Sequence, residues 1–113
     1  MRVYYAHCQA LYGTPQEDRD INILERLGFT VLNPNGVSLP EVVTMDFFFD
    51  LVITCDVVAF RSLPDGAIPA GVAGEIATAQ KNNIPVIEIP SGILRRGINV
   101  EETREFLSEI GQR

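Results

Sequence analysis

The chain has 113 residues, the length of one ordinary domain, and we treat residues 1–113 as a single domain. Hydrophobic residues make up 46% and charged residues 21% of it, a balance typical of a folded protein and not of a disordered one. The net charge of −6 repels polyphosphate backbones, which argues against a nucleic-acid partner. No apolar run approaches the roughly 20 residues of a membrane-spanning helix. The N-terminus also lacks the apolar stretch of a secretion signal, so we expect a cytoplasmic protein that does not bind membranes.

The first third of the chain alternates between strand and helix patterns. Residues 3–6 and 29–32 are short apolar runs of the kind found in buried strands. Between them, Thr14 is a predicted helix N-cap, and Glu17 has the spacing that completes a capping box. Gly28 follows the last apolar residue of this helix and predicts its end.

The rest of the chain repeats this alternation. The predicted elements are, in order, a helix that begins near Ser38 and runs through Phe49, a strand at 56–60, a loop at 61–69, a helix at 70–82, a strand at 85–89, and a helix that is capped by Asn99 and ends near Ile110. Short apolar strands that alternate with helices predict right-handed crossovers and a parallel sheet covered on both faces. We therefore expect an α/β protein with a flavodoxin- or Rossmann-like three-layer fold and four or five parallel strands.

In open parallel sheets the ligand site lies at the carboxyl ends of the strands. The segments that follow predicted strands are 7–14, 61–75 and 90–98, and the second of these is the most informative. Glu75 lies one turn into the helix at its end, among small residues that let a ligand approach the backbone. The positive end of the helix dipole favours its ionised form. Glu75 is therefore a candidate functional acid, the alternative being a solvated glutamate that only complements the dipole.

Several of these segments together resemble the nucleoside 2-deoxyribosyltransferase superfamily, which includes nucleotide N-glycosidases of the 2′-deoxynucleoside 5′-phosphate N-hydrolase type. The matching segments are the strand 55–60, the Asp-Gly loop 65–66, the helix start 70–79, the Pro-Val-Ile strand 85–87, and the runs 3–6 and 27–34. The resemblance implies cleavage or transfer at the N-glycosidic bond of a nucleoside or nucleoside monophosphate. A carboxylate would act at the anomeric carbon of the sugar, without a metal or an organic cofactor.

Carried over by position, the resemblance implies roles for four residues. Glu75 matches the nucleophilic or ion-pairing glutamate, and Asp56 matches an aspartate that contacts the sugar or assists the leaving base. Tyr5 matches a tyrosine that orients the carboxylate, and Gly71 matches a glycine whose backbone faces the ligand. We expect Glu75 and Asp56 to lie at one edge of the sheet as a pair of acids in different environments. The alternative for Asp56 is an acid that caps a neighbouring turn.

The chain departs from this family where phosphate is usually held. Residues 7–13 replace the Gly-Pro or Gly-Ser-Ile-Arg-Gly type of loop after the first strand, and Pro69 stands where monophosphate-specific members often have serine. The choice between a nucleoside and a nucleotide therefore stays open. One histidine and two isolated cysteines do not make a zinc site, so no metal is expected. Cys8 and Cys55 are expected to be buried, reduced thiols.

Other residues near the strand ends are weaker candidates for ligand binding. His7 and Gln9 fall where a ligand's base or phosphate would lie, and we predict that they line the pocket with Tyr5. The alternative for His7 is a structural role, which is commoner for a lone histidine at a strand end. Asp65 is a candidate sugar ligand, although Leu-Pro-Asp-Gly is also a turn sequence. The adjacent arginines at 95–96 are candidates for binding an anion, unless their loop is simply solvated.

The run Phe47–Phe49 is too apolar for one face of a helix. With the resemblance to a family of oligomers, it predicts a homo-oligomer that buries the second helix, unless this helix is sunk in its own core. Two other functions remain as alternatives to the enzyme. One is a non-catalytic nucleotide sensor of the same fold. The other, less favoured, is a flavodoxin-like phospho-acceptor, which would need a cluster of acids after the first strand.

Overall fold

The computed structural model describes residues 1–90 and 99–111. Within these ranges the strands are β1 (Arg2–Ala6), β2 (Thr30–Leu32), β3 (Val57–Phe60) and β4 (Val86–Glu88), and the helices are α1 (Pro15–Arg26), α2 (Met45–Val52), α3 (Ala70–Lys81) and α4 (Val100–Glu109). Two short 3₁₀ helices, Gln9–Leu11 and Pro34–Gly36, follow β1 and β2. None of the described helices is both long enough and apolar enough to cross a membrane.

The strands of the sheet run parallel in the order β2-β1-β3-β4. In the central strand β1, Val3 is paired with Val31 on one side and with Val57 on the other. The chain adds β2 beside β1 and then crosses to the other side of β1 for β3, so the strand order reverses there. Such a reversal opens a crevice at the carboxyl ends of the two strands. The predicted flavodoxin-like α/β fold is confirmed, with four parallel strands in the described part of the chain.

Successive side chains of β1 point to opposite faces of the sheet, because a strand has a period of two residues. Tyr4 packs in the core between the sheet and the helices α2 and α3, with Val52 and Val72. Tyr5 packs in the core on the other face, with Leu24 of α1. Two adjacent tyrosines therefore project into different layers of the molecule, and this decides which of them reaches the functional site.

The start of α1 is capped as predicted, but the capping box does not form. The Thr14 hydroxyl accepts a hydrogen bond from the Glu17 N–H at 3.4 Å. The Thr14 N–H instead donates to the carbonyl of Leu11 at 3.2 Å, so it is not available to the Glu17 carboxylate. That carboxylate accepts from the Gly13 N–H at 3.2 Å. At the other end of the helix, Gly28 has the positive φ of 92° that its position as a helix stop requires.

The predicted start of the second helix near Ser38 is wrong, since α2 begins at Met45. The N-cap position of the helix is instead held by Thr44, whose backbone is extended at φ −126° and ψ 164°. Helix α2 packs directly against α3. A Cβ atom on Gly74 would lie 2.7 Å from Cζ of Phe49, so only glycine permits this approach. The contact brings the start of α2 to the mouth of the crevice.

The last helix, α4, begins as the sequence predicts. The Asn99 side chain accepts a hydrogen bond from the Glu102 N–H at 2.8 Å, which is the N-cap geometry. None of the side chains of α4 is buried, so α1 is the helix that packs against the second face of the sheet.

Candidate functional site

A cavity of about 320 Å³ opens at the carboxyl edge of the sheet, on the face covered by α2 and α3. One wall is the segment after β1, which contributes Cys8, Gln9 and Tyr12. The opposite wall comes from the first turns of α2 and α3, with Met45 and Phe48 from α2. Small-molecule sites typically have volumes of roughly 300–1,000 Å³ and are mainly apolar with a few polar groups. The cavity has the size and lining of such a site.

Four of the residues singled out from the sequence, His7, Gln9, Gly71 and Glu75, line this cavity. His7 and Gln9 follow β1, whereas Gly71 and Glu75 lie four residues apart on one face of α3. A Cβ atom on Gly71 would lie 3.5 Å from the Met45 side chain, an ordinary contact distance. The segment after β1 and the start of α3 thus form one crevice, as their positions after parallel strands predict.

Among the described residues that line the cavity, Glu75 is the one acid, and it is only 6% exposed. Burial disfavours its charged form and raises its pKa from the ordinary value of 4.5 to about 7. The nearby Tyr4 hydroxyl acts in the opposite direction and lowers the pKa, although the two groups do not meet in hydrogen-bonding geometry. At neutral pH the carboxyl group is therefore divided between its two protonation states. A pKa near the working pH is what acid–base and nucleophilic chemistry require of a side chain.

Tyr4, which was not singled out from the sequence, is the tyrosine that lies beside Glu75. Its side chain is fully buried and lines the cavity, yet its hydroxyl has no hydrogen-bond partner among the described residues. Burial and the neighbouring Glu75 both raise its pKa, so the hydroxyl keeps its proton. A buried polar group without a partner costs free energy unless a water or ligand satisfies it. This hydroxyl, aimed into a cavity beside a carboxyl group, therefore points to a ligand.

Tyr5 does not orient Glu75, and it does not line the cavity with His7 and Gln9. Its hydroxyl donates a hydrogen bond to Oδ2 of Asp20 at 2.6 Å, on the other face of the sheet. The alternation of β1 explains the difference, since only the neighbouring side chain points towards α3. The expectation that Tyr5 lies beside Glu75 and lines the cavity is therefore wrong, and the tyrosine in that place is Tyr4.

Asp56 lies at the opposite edge of the sheet from Glu75. It precedes β3, is exposed, and accepts a hydrogen bond from the Arg2 N–H at 2.7 Å. The four residues of β3, each rising roughly 3.3 Å, separate it from the carboxyl ends of the strands. The expected pair of Glu75 and Asp56 does not form, because one acid precedes its strand and the other follows it.

Asp65 is a turn residue outside the cavity wall. Its carboxylate accepts a hydrogen bond from the Ala67 N–H at 2.9 Å, and Gly66 between them has a positive φ of 85°. This is the turn geometry that Asp-Gly sequences favour. The arginines at 95–96 lie outside the residues that the structure describes.

His7 is held by contacts on both of its ring nitrogens and is 4% exposed. Its ring stacks on that of Tyr5, with centroids 3.7 Å apart and planes inclined by 5°. Nδ1 lies 3.0 Å from the Tyr5 carbonyl oxygen, and Nε2 lies 2.7 Å from Oε2 of Glu17. A carbonyl and a carboxylate are both hydrogen-bond acceptors, so each ring nitrogen already faces a protein partner. His7 contributes its ring to the cavity wall, but neither nitrogen is left for a ligand.

A buried ion pair between Asp20 and Arg61 was not anticipated from the sequence. Asp20 is fully buried and accepts two hydrogen bonds from the Arg61 guanidinium, at 2.6 and 3.0 Å. Burial acts to raise the pKa of Asp20, but the hydrogen bonds from Arg61, Tyr5 and Gln16 outweigh it and lower the pKa. The two ions are 41 positions apart in the chain, so no local pattern indicates their contact.

The described residues offer no group of three or more metal-binding side chains. Cys55 is buried, as expected, whereas Cys8 is only partly buried and lines the cavity. Both cysteines are free thiols. Burial raises the pKa of Cys55, which keeps it in the unreactive protonated form.

Comparison with known proteins supports the fold. No model of a protein family matches the chain, and no curated protein is significantly similar to it. The crystal structure of a conserved protein from Enterococcus faecalis V583 is similar, with a TM-score of 0.63 over 100% of this chain and 77% of that one. The two sequences are 19% identical, so the similarity establishes a shared α/β fold and nothing finer.

Proposed function

We propose that this protein cleaves or transfers at the N-glycosidic bond of a nucleoside or nucleoside monophosphate, with Glu75 acting at the anomeric carbon. The proposal extends the resemblance to the nucleoside 2-deoxyribosyltransferase superfamily. One observation supports it above the others: a buried carboxyl group with a pKa of about 7 lies in a cavity of about 320 Å³, beside a buried hydroxyl that lacks a partner. A sugar hydroxyl is well suited to satisfy that orphan group.

The chemistry requires one ionised carboxylate in a site of low dielectric constant. When the C1′–N bond breaks, its electron pair leaves with the base, and positive charge develops on the sugar ring. Ionised Glu75 stabilises this charge or bonds to C1′, after which water or an acceptor base attacks C1′. Glu75 is the one carboxylate among the described lining residues, so we assign the proton of the leaving base to solvent in the cavity.

The lining favours an uncharged ligand. Tyr12 and Phe48 offer aromatic surface to a planar base, and no lysine or arginine occurs among the described residues that line the cavity. A phosphate placed beside Glu75 would meet a like charge, with no compensating cation among the described residues of the wall. Within the proposed class we therefore favour a nucleoside over its monophosphate.

The function is tested with a panel of ribo- and deoxyribonucleosides and their 5′-monophosphates. Release of free base is followed by chromatography, with and without a second base as acceptor. Hydrolysis appears without the acceptor, whereas transfer requires it and yields a new nucleoside. If no member of the panel loses its base, the enzyme proposal fails.

The role of Glu75 is tested by Glu75→Gln, which keeps the shape and removes the charge. Loss of one preorganised stabilising group should lower the rate by about 10²–10³-fold, and loss of a nucleophile by more. Glu25→Gln, at an exposed position of α1, is the matched control and should keep full activity. Full base release by a folded Glu75→Gln variant would disprove the assignment.

A non-catalytic nucleoside sensor is the second candidate. It is favoured by the separation of Asp56 from Glu75, which leaves the described wall without a second carboxylic acid to protonate a leaving base. Protonated Glu75 can instead donate a hydrogen bond to a bound base. Tight binding of a nucleoside by calorimetry, with no base released on prolonged incubation, would identify the sensor.

We further propose a cytosolic homo-oligomer. Several apolar side chains in and around α2 are exposed, among them Val42 at 76%, Leu39 at 58% and Ile53 at 50%. Contact with a second copy would remove this apolar surface from water. Light scattering that shows only a species of 12.5 kDa at micromolar concentration would count against the assembly.

A further inference from the structure

One wall of the cavity is a short segment with little regular structure. It comprises residues 8–12, of which Cys8, Gln9 and Tyr12 line the cavity. Two backbone hydrogen bonds hold it internally, from the Leu11 N–H to the Cys8 carbonyl at 2.9 Å and from the Tyr12 N–H to the Gln9 carbonyl at 3.0 Å. A single 3₁₀ turn of this kind is weak by itself, so its position depends on how its two ends are held.

Both ends of this wall segment are bound to one carboxylate, that of Glu17 in the first turn of α1. Before the segment, Nε2 of His7 lies 2.7 Å from Oε2 of Glu17. After the segment, the Gly13 N–H donates to Oε1 at 3.2 Å. The Asn35 side-chain amide also donates to this carboxylate, at 3.2 and 3.4 Å to its two oxygens. Asn35 directly follows Pro34, which is another residue of the cavity wall.

The carboxylate of Glu17 is suited to this task because it is buried and stays ionised. Glu17 is 5% exposed, and its burial acts to raise its pKa. The hydrogen bonds from His7, Gly13 and Asn35 outweigh burial and lower the pKa below its ordinary value. Charge-assisted hydrogen bonds of this kind are roughly twice as strong as neutral ones.

We infer that Glu17 is a positioning residue of the site, which fixes the wall segment 8–12 by binding the residues at both of its ends. Glu17 does not line the cavity and acts only through His7, Gly13 and Asn35. The inference rests on the proposed function in one respect, namely that the cavity is the ligand site.

The test is amide hydrogen exchange of the Glu17→Gln variant, followed by NMR, with Asp18→Asn as the matched control. Asp18 is an exposed acid in the same helical turn, so this control makes the same change of charge without touching the wall. In Glu17→Gln the Leu11 and Tyr12 amides should exchange about tenfold faster, the factor that corresponds to about 1.4 kcal/mol. In the same variant the amides of β1 should exchange as in the wild type. In the control variant Asp18→Asn, the Leu11 and Tyr12 amides should also exchange as in the wild type. Unchanged exchange at Leu11 and Tyr12 in a folded variant overturns the inference.

A second variant covers the case in which Glu17→Gln does not fold. Glu17→Asp keeps the charge at the helix N-terminus but is one methylene shorter, so it cannot reach both His7 and the Gly13 N–H. It should produce the same local acceleration, and wild-type exchange rates in this variant would equally refute the positioning role.

The consequence for the ligand is measured with 2′-deoxyinosine as the probe. The KM of Glu17→Gln should rise about tenfold while kcat changes less than about threefold, because the wall binds and Glu75 is untouched. An equal fall in kcat with KM unchanged would contradict a role in the wall. Hydrogen exchange requires no ligand, so the two proposals can fail separately. If the wild type releases no base from any nucleoside or nucleotide of the panel, the proposed activity fails, and hydrogen exchange still decides the positioning role.

Discussion

Replacing Glu75 with glutamine should stabilise the protein, and increasingly so as the pH rises. In the folded protein the pKa of Glu75 is about 7, whereas its ordinary value of 4.5 applies to the unfolded chain. Below pH 4.5 both states hold the proton and the residue has no pH-dependent effect. Between these two values the unfolded chain loses the proton first, so stability falls as the pH rises, and above about 7 the loss is complete.

The size of the effect follows from the pKa difference. At about 1.4 kcal/mol per pH unit, the gap between 4.5 and about 7 corresponds to about 3 kcal/mol of folding free energy lost at alkaline pH. About 2 kcal/mol of this should be lost between pH 5.5 and pH 8.5, a range that avoids the isoelectric point. Glutamine cannot ionise, so Glu75→Gln should escape this loss. This is a large effect for a protein of ordinary marginal stability.

The measurement is urea unfolding of the wild type and of Glu75→Gln at several pH values between 5.5 and 8.5. The difference in unfolding free energy between the two proteins should grow by about 2 kcal/mol over this range. The control Glu25→Gln, at an exposed position, should follow the wild type. Parallel pH profiles for the wild type and Glu75→Gln would show that Glu75 ionises normally in the folded state, and the account of the buried acid would be refuted.

Three other outcomes follow from the structure. Base release should rise with pH with a midpoint of about 7, as Glu75 ionises, and a flat rate–pH profile would exclude this role. The free energy of unfolding, measured in urea, should be about 1–3 kcal/mol lower for Gly74→Ala than for Gly71→Ala. The new methyl group of Gly74→Ala would lie 2.7 Å from Phe49, whereas the methyl group of Gly71→Ala would have room. Asp20→Asn should cost about 3–5 kcal/mol of unfolding free energy, since it leaves a buried arginine without its ion pair, and a cost below about 1 kcal/mol would contradict this.

The local sequence determined the elements and their order. Each strand was visible as a short apolar run, and Thr14 and Asn99 marked helix starts because capping uses atoms within three residues of each other. The start of the second helix was misplaced, because Thr44 and not Ser38 occupies the N-cap position of α2. The position of Glu75 at the carboxyl edge followed from the alternation of parallel strands and helices.

The same rule would have excluded Asp56 from the site. This aspartate precedes β3, so in a parallel sheet it lies at the amino edge, whatever family its segment resembles. The choice between Tyr4 and Tyr5 was different in kind. Both tyrosines belong to a short apolar strand that is buried on both faces. Such a strand shows no alternation of polar and apolar residues, so the sequence does not indicate which tyrosine points to α3.

Tertiary structure decided the chemistry of the site. The raised pKa of Glu75 comes from its burial beside a cavity that four separate segments of the described chain assemble, and no neighbouring residue in the chain produces it. The contacts of Glu17 with His7 and Asn35 span 10 and 18 positions. In the sequence Glu17 is one of four acids on α1 and is predicted only to complete a capping box, and only the fold removes it from water. A pattern of nearest neighbours specifies strands, helices and caps, because those are short-range interactions; the electrostatics of a buried site depend on groups that only the folded chain brings together.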